Sequence, residues 1–320
     1  MSEAGRGFFG SLHLTSDNAK KNEVKKLNLI GALLFLVSFS LFAQDADTTY
    51  KPVEYPEGFT ARLNVVYTKL KDWEEKMDIY LPPKNNNPTP VVINIHGGGW
   101  NHGVKESQTG FNTFFKAGFA VANIEYRLTG QATAPAAVED TRCALIWLIK
   151  NAKELNIDVN KIVIMGGSSG GHLALMGGLL GNDHRFDGNC AGVENIKLAA
   201  IIDKYGIADV WDWGYGPNIT SKSATNWLGD KKNDQKFAAS VSPVYYVNKN
   251  SPPTFIVHGN ADPTVPYQQS VALYKKFSEA GVKTEFITVE GGLHGKFTRE
   301  KNGEINKAIM NFLKELGLVQ

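Results

Sequence analysis

The sequence predicts an α/β fold, a mostly parallel central sheet with helices on both faces and a small cap inserted late in the chain. From residue 90 onward, short apolar runs alternate with longer amphipathic stretches, which is the rhythm of βαβ units. One such run passes straight into a helical pattern through a turn crowded with glycine, Gly166-Gly167-Ser168-Ser169-Gly170-Gly171. The chain has 320 residues, 42% of them hydrophobic, so one large domain has ample core and no second domain is required.

In chain order, Leu63–Leu70 and Lys76–Leu81 read as an antiparallel hairpin entering the sheet edge. The strand Val91–Ile95 precedes an amphipathic stretch at Gly110–Ala117, and Ala120–Ile124 precedes one at Ala134–Asn151. Ile162–Met165 leads into Ser169–Leu180, and Leu198–Ile202 follows as a further strand. Thr254–Val257 then precedes the amphipathic stretch Tyr267–Ala280, and Thr284–Val289 precedes Asn302–Leu316. The chain has no internal repeat and no low-complexity tract beyond the polar turn Lys84-Asn85-Asn86-Asn87-Pro88.

Four of these strand ends carry chemistry. After Lys161-Ile162-Val163-Ile164-Met165, the glycine-rich turn has the layout of a nucleophile elbow, where strained backbone exposes a serine hydroxyl at a helix start. Glycines two residues to either side of Ser168 remove Cβ atoms that would collide. A serine hydroxyl is a poor nucleophile until a base takes its proton and donors stabilise the oxyanion. Upstream, His96-Gly97-Gly98-Gly99-Trp100 offers bare backbone of the HGGG type, whose N–H groups can face a substrate. Downstream, His258-Gly259-Asn260-Ala261-Asp262-Pro263 and Glu290-Gly291-Gly292-Leu293-His294-Gly295 complete the order serine, acid, histidine.

On these residues the chain resembles an α/β-hydrolase of the esterase/lipase superfamily, near the hormone-sensitive-lipase-like and bacterial carbohydrate (acetyl xylan and feruloyl) esterase branches. The resemblance runs from about residue 60 to the C-terminus through HGGGW at 96–100, EYRL at 125–128, PAAVED at 135–140, GGSSGGHLA at 166–174, HGNADPTVP at 258–266 and EGGLHG at 290–295. It implies that Ser168 is the nucleophile, His294 the general base and Asp262 its orienting partner. It also implies an oxyanion hole made by the amides of Gly98, Gly99 and Ser169.

Alternatives remain at this stage. Gly167-Ser168-Ser169-Gly170-Gly171 also centres GxSxG on Ser169, although the register of related esterases puts Ser168 first. Asp262 has a second reading as a turn cap before Pro263, and Asp203, at the end of an earlier strand, is the runner-up for the acid. His96, His172 and His258 read as structural groups, the first and last bonding loop backbone.

Ahead of the domain, Lys20, Lys21, Lys25 and Lys26 precede the apolar run Leu29–Ala43. That run is shorter than the roughly 20 residues a membrane span needs, and it suits the core of a secretory signal peptide. The expected organisation is therefore an N-terminal extension and signal peptide over 1–43, cleavage near Ala43, and one domain over 44–320 in a secreted or periplasmic protein. A membrane anchor is the competing reading, and residues 1–19 imply a true start further in. Residues 1–43 hold five of the 34 basic residues and three of the 32 acidic ones, leaving 29 of each. A neutral chain carries no footprint for nucleic acid or an anionic membrane. No HExxH, CxxC pair or clustered His/Asp set is present, so neither metal nor cofactor is expected. Cys143 and Cys190 are able to form one disulfide after export, which spacing alone does not establish. Oligomeric state is not legible.

The substrate is the least determined part. Asp209–Tyr246, inserted between the strand ending at Ile202 and the strand before Asp262, carries Trp211, Trp213, Tyr215 and Trp227. Such rings either stack on sugar or aromatic acyl groups or fasten the cap to the core. We expect Trp100, Trp211 and Trp213 to contact substrate, an ester linked to plant polysaccharide such as acetylated or feruloylated xylan. A kynurenine-formamidase-like amidase, a prolyl-oligopeptidase-like peptidase and a non-catalytic binding protein on a hydrolase scaffold are the competing functions.

Overall fold

Eight strands form one sheet in the order β1-β2-β4-β3-β5-β6-β7-β8 in a computed structural model that describes residues 50–71, 73–190 and 192–319. The strands are β1 (Thr60–Leu70), β2 (Trp73–Leu81), β3 (Thr89–Ile95), β4 (Ala120–Ile124), β5 (Ile157–Gly167), β6 (Ala200–Lys204), β7 (Thr254–Gly259) and β8 (Thr284–Val289). β1 and β2 form the antiparallel hairpin at one edge, β2 meets β4 antiparallel, and every later pairing is parallel. This is the predicted α/β-hydrolase architecture.

Crossover helices cover both faces, as parallel strands require. The helices around the sheet are α1 (Asn112–Lys116), α2 (Ala136–Leu155), α3 (Ser169–Leu179), α7 (Gln268–Glu279) and α8 (Arg299–Glu315). Leu145 and Leu148 of α2, Leu173 and Leu175 of α3 and Phe277 of α7 pack with Ile93, Ile164 and Ile201 on one face. Phe114 and Phe115 of α1 and Ile309 and Phe312 of α8 pack with Val92, Val163 and Phe255 on the other.

Several boundaries differ from the periodicity. β5 starts at Ile157 because Thr89 of β3 pairs with it, ahead of the expected Ile162. β6 runs two residues further than Leu198–Ile202 and takes in Asp203 and Lys204, polar residues the apolar pattern leaves out. The inserted segment folds into three short helices, α4 (Val210–Tyr215), α5 (Lys222–Leu228) and α6 (Gln235–Ser240). Each is started by a side-chain cap, from Asp209, Ser221 and Asp234 respectively, which satisfies an otherwise orphaned amide.

Cys143 of α2 and Cys190 form a disulfide with Cα atoms 5.3 Å apart. Among the described residues, no helix is long and apolar enough to cross a membrane. The expected signal peptide over 1–43 lies outside the described residues.

Candidate active site

The C-terminal ends of β3, β5, β6 and β7 converge on a cleft of about 830 Å³ lined by Gly98, Gly99, Ser168, Lys204, Trp213 and His294 among others. Ser168 sits between β5 and α3 with φ 58° and ψ −125°, a strained conformation for a residue with a Cβ. Two glycines make the turn possible. A Cβ on Gly166 would come 2.2 Å from the Gly170 carbonyl oxygen, and one on Gly170 would come 2.3 Å from that of Ile95. The Ser168 N–H donates to the Lys204 carbonyl at 2.9 Å, which ties the elbow to β6.

His294 Nε2 lies 2.9 Å from Ser168 Oγ, and His294 Nδ1 lies 2.6 Å from Asp262 Oδ2. The structure thus brings Ser168, His294 and Asp262 into one continuous hydrogen-bonded relay. Asp262 is held on every side. Its Oδ1 accepts the amides of Thr264 at 2.7 Å and Val265 at 3.0 Å, and Oδ2 also accepts from His258 Nε2 at 3.1 Å. Burial pushes its carboxyl up, but hydrogen bonds from His258, His294 and the Thr264 amide outweigh that and hold it well below the usual carboxylate range.

Both sequence alternatives are placed elsewhere. Ser169 is fully buried, with Oγ 3.3 Å from the Tyr126 hydroxyl, and does not reach the histidine. Asp203 sits against Gly171 of α3, and its Oδ1 accepts the N–H of Gly206 in the loop after β6 at 3.0 Å.

Gly98 and Gly99 turn the loop after β3 through φ 121° and 57°. A Cβ on Gly98 would fall 1.9 Å from the His102 carbonyl oxygen, so only glycine follows this path. Ser169 is the first residue of α3, and its N–H is one of those a helix leaves free. The Tyr126 hydroxyl donates to the His96 carbonyl at 3.1 Å, and its ring stacks on His96 with centroids 4.3 Å apart. Arg127 Nε bonds both oxygens of the buried Asp140, so the EYRL and PAAVED segments meet through this pair.

Not every expected contact holds. Trp100 is a correction: its ring is 0% exposed, stacked on Trp227 at 4.2 Å and edge-on to Trp213 and His172, so it packs the cap onto the core and does not face the cleft. Trp213 lines the cleft but is only 2% exposed, with Nε1 donating to the Thr264 carbonyl at 2.9 Å. Trp211 is half-buried, does not line the cleft and pairs with the exposed Tyr215 at 4.4 Å.

Four positions have site contacts that the sequence does not assign to them. His258 bonds the acid as well as the Val265 carbonyl; Tyr126 braces the glycine loop; Tyr205 sets its ring edge-on to His294 at 4.9 Å; Lys204 lines the cleft. EYRL marked Tyr126, and an apolar run ending in a charge was the one available sign of Lys204.

The BD-FAE family model matches residues 77–277. The chain is 28% identical over 218 residues to Esterase LipQ of Mycobacterium tuberculosis, covering 66% of this chain and 51% of that protein. Matches to two further mycobacterial relatives, Esterase LipC and the probable carboxylic ester hydrolase LipM, cover 59% and 43% of theirs, so the chain spans about half the length of these curated relatives. Among solved structures, a truncated carbohydrate esterase from gut microbiota superposes with a TM-score of 0.70 at 28% identity, covering 82% of this chain and 98% of that one. A bifunctional GH43-CE protein of Bacteroides eggerthii gives 0.69 at 27%, covering 79% of this chain and 38% of that one.

Proposed function

The chain belongs to the BD-FAE family, and from that premise we propose that it is a secreted serine esterase that removes acetyl or feruloyl groups from plant polysaccharide such as xylan. The observation that carries the reading is the relay from Ser168 Oγ through His294 to Asp262, at 2.9 and 2.6 Å.

In the mechanism, His294 Nε2 takes the Ser168 proton as Oγ attacks the ester carbonyl. Asp262, kept ionised by its donors, fixes the histidine tautomer and stabilises the imidazolium. Negative charge on the carbonyl oxygen is met by the amides of Gly98, Gly99 and Ser169. Collapse breaks the ester C–O bond, and His294 returns its proton to the departing alcohol. Water, deprotonated by His294, then releases the acyl group and regenerates Ser168. The cycle uses no metal or cofactor.

Support for the carbohydrate assignment comes from similarity to the gut-microbial carbohydrate esterase and from the Trp211–Tyr215 pair on the cap. The Cys143–Cys190 disulfide supports an oxidising compartment and hence export. A panel of acetylated xylan, methyl ferulate, N-formylkynurenine and a proline-containing peptide tests the reading. We expect turnover of one or both of the first two; hydrolysis confined to either amide substrate would overturn it.

A further inference from the structure

Side chains of consecutive strand residues point to opposite faces of a sheet. In β6, Ile202 joins the core packed by α1 and α8, while Asp203 turns toward α3. Lys204 therefore follows Ile202, and it lines the cleft together with Asn94, Ser107 and Gln108. The cap contributes Trp213, Ser221 and Ser223 to the same lining. Through its own carbonyl Lys204 is hydrogen-bonded to the backbone of the nucleophile.

Among the described residues, the buried cations Lys105 and Arg142 and the half-buried Arg127 are all paired. Lys105 meets Asp78 and Glu106, Arg127 meets Glu139 and Asp140, and Arg142 meets Asp187 through two nitrogens. Among the described residues, the Lys204 ammonium has neither an ion-pair partner nor a hydrogen-bond acceptor. Burial draws it down to about 8, so it keeps its proton at neutral pH. A half-buried, unpaired cation costs folding free energy. In a substrate cleft, that cost is offset if an anion on the ligand completes the pair.

We propose that Lys204 is a specificity-determining residue that binds a carboxylate carried by the substrate, so that the preferred esters are acidic. This rests on the esterase reading above. The carboxylate belongs either to the acyl chain, as in the half-ester of a dicarboxylic acid, or to the alcohol, as in an acylated uronic acid.

Matched pairs test this: monomethyl succinate against methyl butyrate for the acyl arm, and O-acetylated methyl glucuronide against O-acetylated methyl glucoside for the alcohol arm. We expect the wild type to favour the acidic member of one pair, which identifies the source. In Lys204→Gln that ratio of kcat/KM should fall by about tenfold or more, the loss expected for a hydrogen bond to a charged group, with part recovered in Lys204→Arg. Should the variants not fold, inhibition of the wild type decides: succinate or glucuronate should inhibit hydrolysis of a neutral ester about tenfold better than succinamide or glucose. Turnover with no acidic preference in either arm, a ratio unchanged in Lys204→Gln, or equal inhibition would overturn the inference about Lys204 alone. A wild type that hydrolyses no ester, neutral or acidic, would overturn the esterase reading instead.

Discussion

At the scale of single residues, adjacent serines and two aspartates, one at the end of β6 and one in the turn after β7, differ through what each one touches. Ser168 reaches His294, whereas Ser169 offers only its amide and is buried beneath Tyr126. Ser168→Ala should cost on the order of 10⁶ in kcat, and Ser169→Ala, which keeps the amide, far less; aryl acetate kinetics with both variants at equal folded concentration checks this. Asp262→Asn should preserve the fold yet lower kcat by about 10⁴, because an amide no longer fixes the histidine tautomer. Asp203 predicts a pH effect of another kind. Burial raises its carboxyl to about 7, outweighing the Gly206 amide bond, against roughly 3.9 for an unfolded aspartate. The folded chain then retains a proton the unfolded chain has released, so the stability this group contributes is full below about pH 3.9 and is lost as pH rises through 7. Asp203→Asn should thus raise the Tm relative to wild type at pH 8 and not at pH 4. A Tm difference independent of pH would contradict that account. The triad positions were legible because each lies in a glycine-marked turn just past a strand. His258 was half-legible: its bond to loop backbone was anticipated, but its bond to Asp262 depends on how the turn through Pro263 folds back, which no local pattern encodes.

Among the elements, the β5–α3 elbow and the cap make opposite demands on side-chain volume. The elbow tolerates no Cβ at Gly166 or Gly170, where backbone carbonyl oxygens lie at 2.2 and 2.3 Å. Gly170→Ala should lower stability by about 1–3 kcal/mol through overpacking and displace Ser168; a melting curve and a kcat measurement on one preparation test both effects. The cap is fastened by large rings instead. Trp227→Ala removes a fully buried indole stacked on Trp100 and should cost about 3–5 kcal/mol. Trp211→Ala, at a half-buried position against Tyr215, should lower the Tm much less and act on polymeric substrate more than on a small ester. The order of strands and helices was legible from apolar rhythm because parallel strands buried on both faces read as continuous apolar runs. Periodicity missed the polar ends of β6 and the start of β5, where pairing with a neighbouring strand extends the element. It also left open which cap tryptophans pack inward, since ring burial is set by tertiary contact and Trp100, Trp213 and Trp227 share no local signature.

For the whole molecule, the glycine loop, Ser168 and Asp262 follow the C-terminal ends of β3, β5 and β7, while α2 and the segment holding Cys190 are tied by a disulfide. Cys143→Ser should lower stability by about 2–4 kcal/mol without altering the cleft, and dithiothreitol should reproduce the shift in the wild type. A chelator should leave the rate unchanged, because attack by Ser168 requires only the histidine and backbone amides. The central claim is that the serine relay performs the chemistry, and the most direct measurement is labelling with a fluorophosphonate followed by peptide mass spectrometry. The account predicts stoichiometric modification of Ser168 in step with loss of ester turnover, and no labelling of Ser168→Ala. A label on Ser169, or full turnover by a protein whose Ser168 is fully modified, would contradict it.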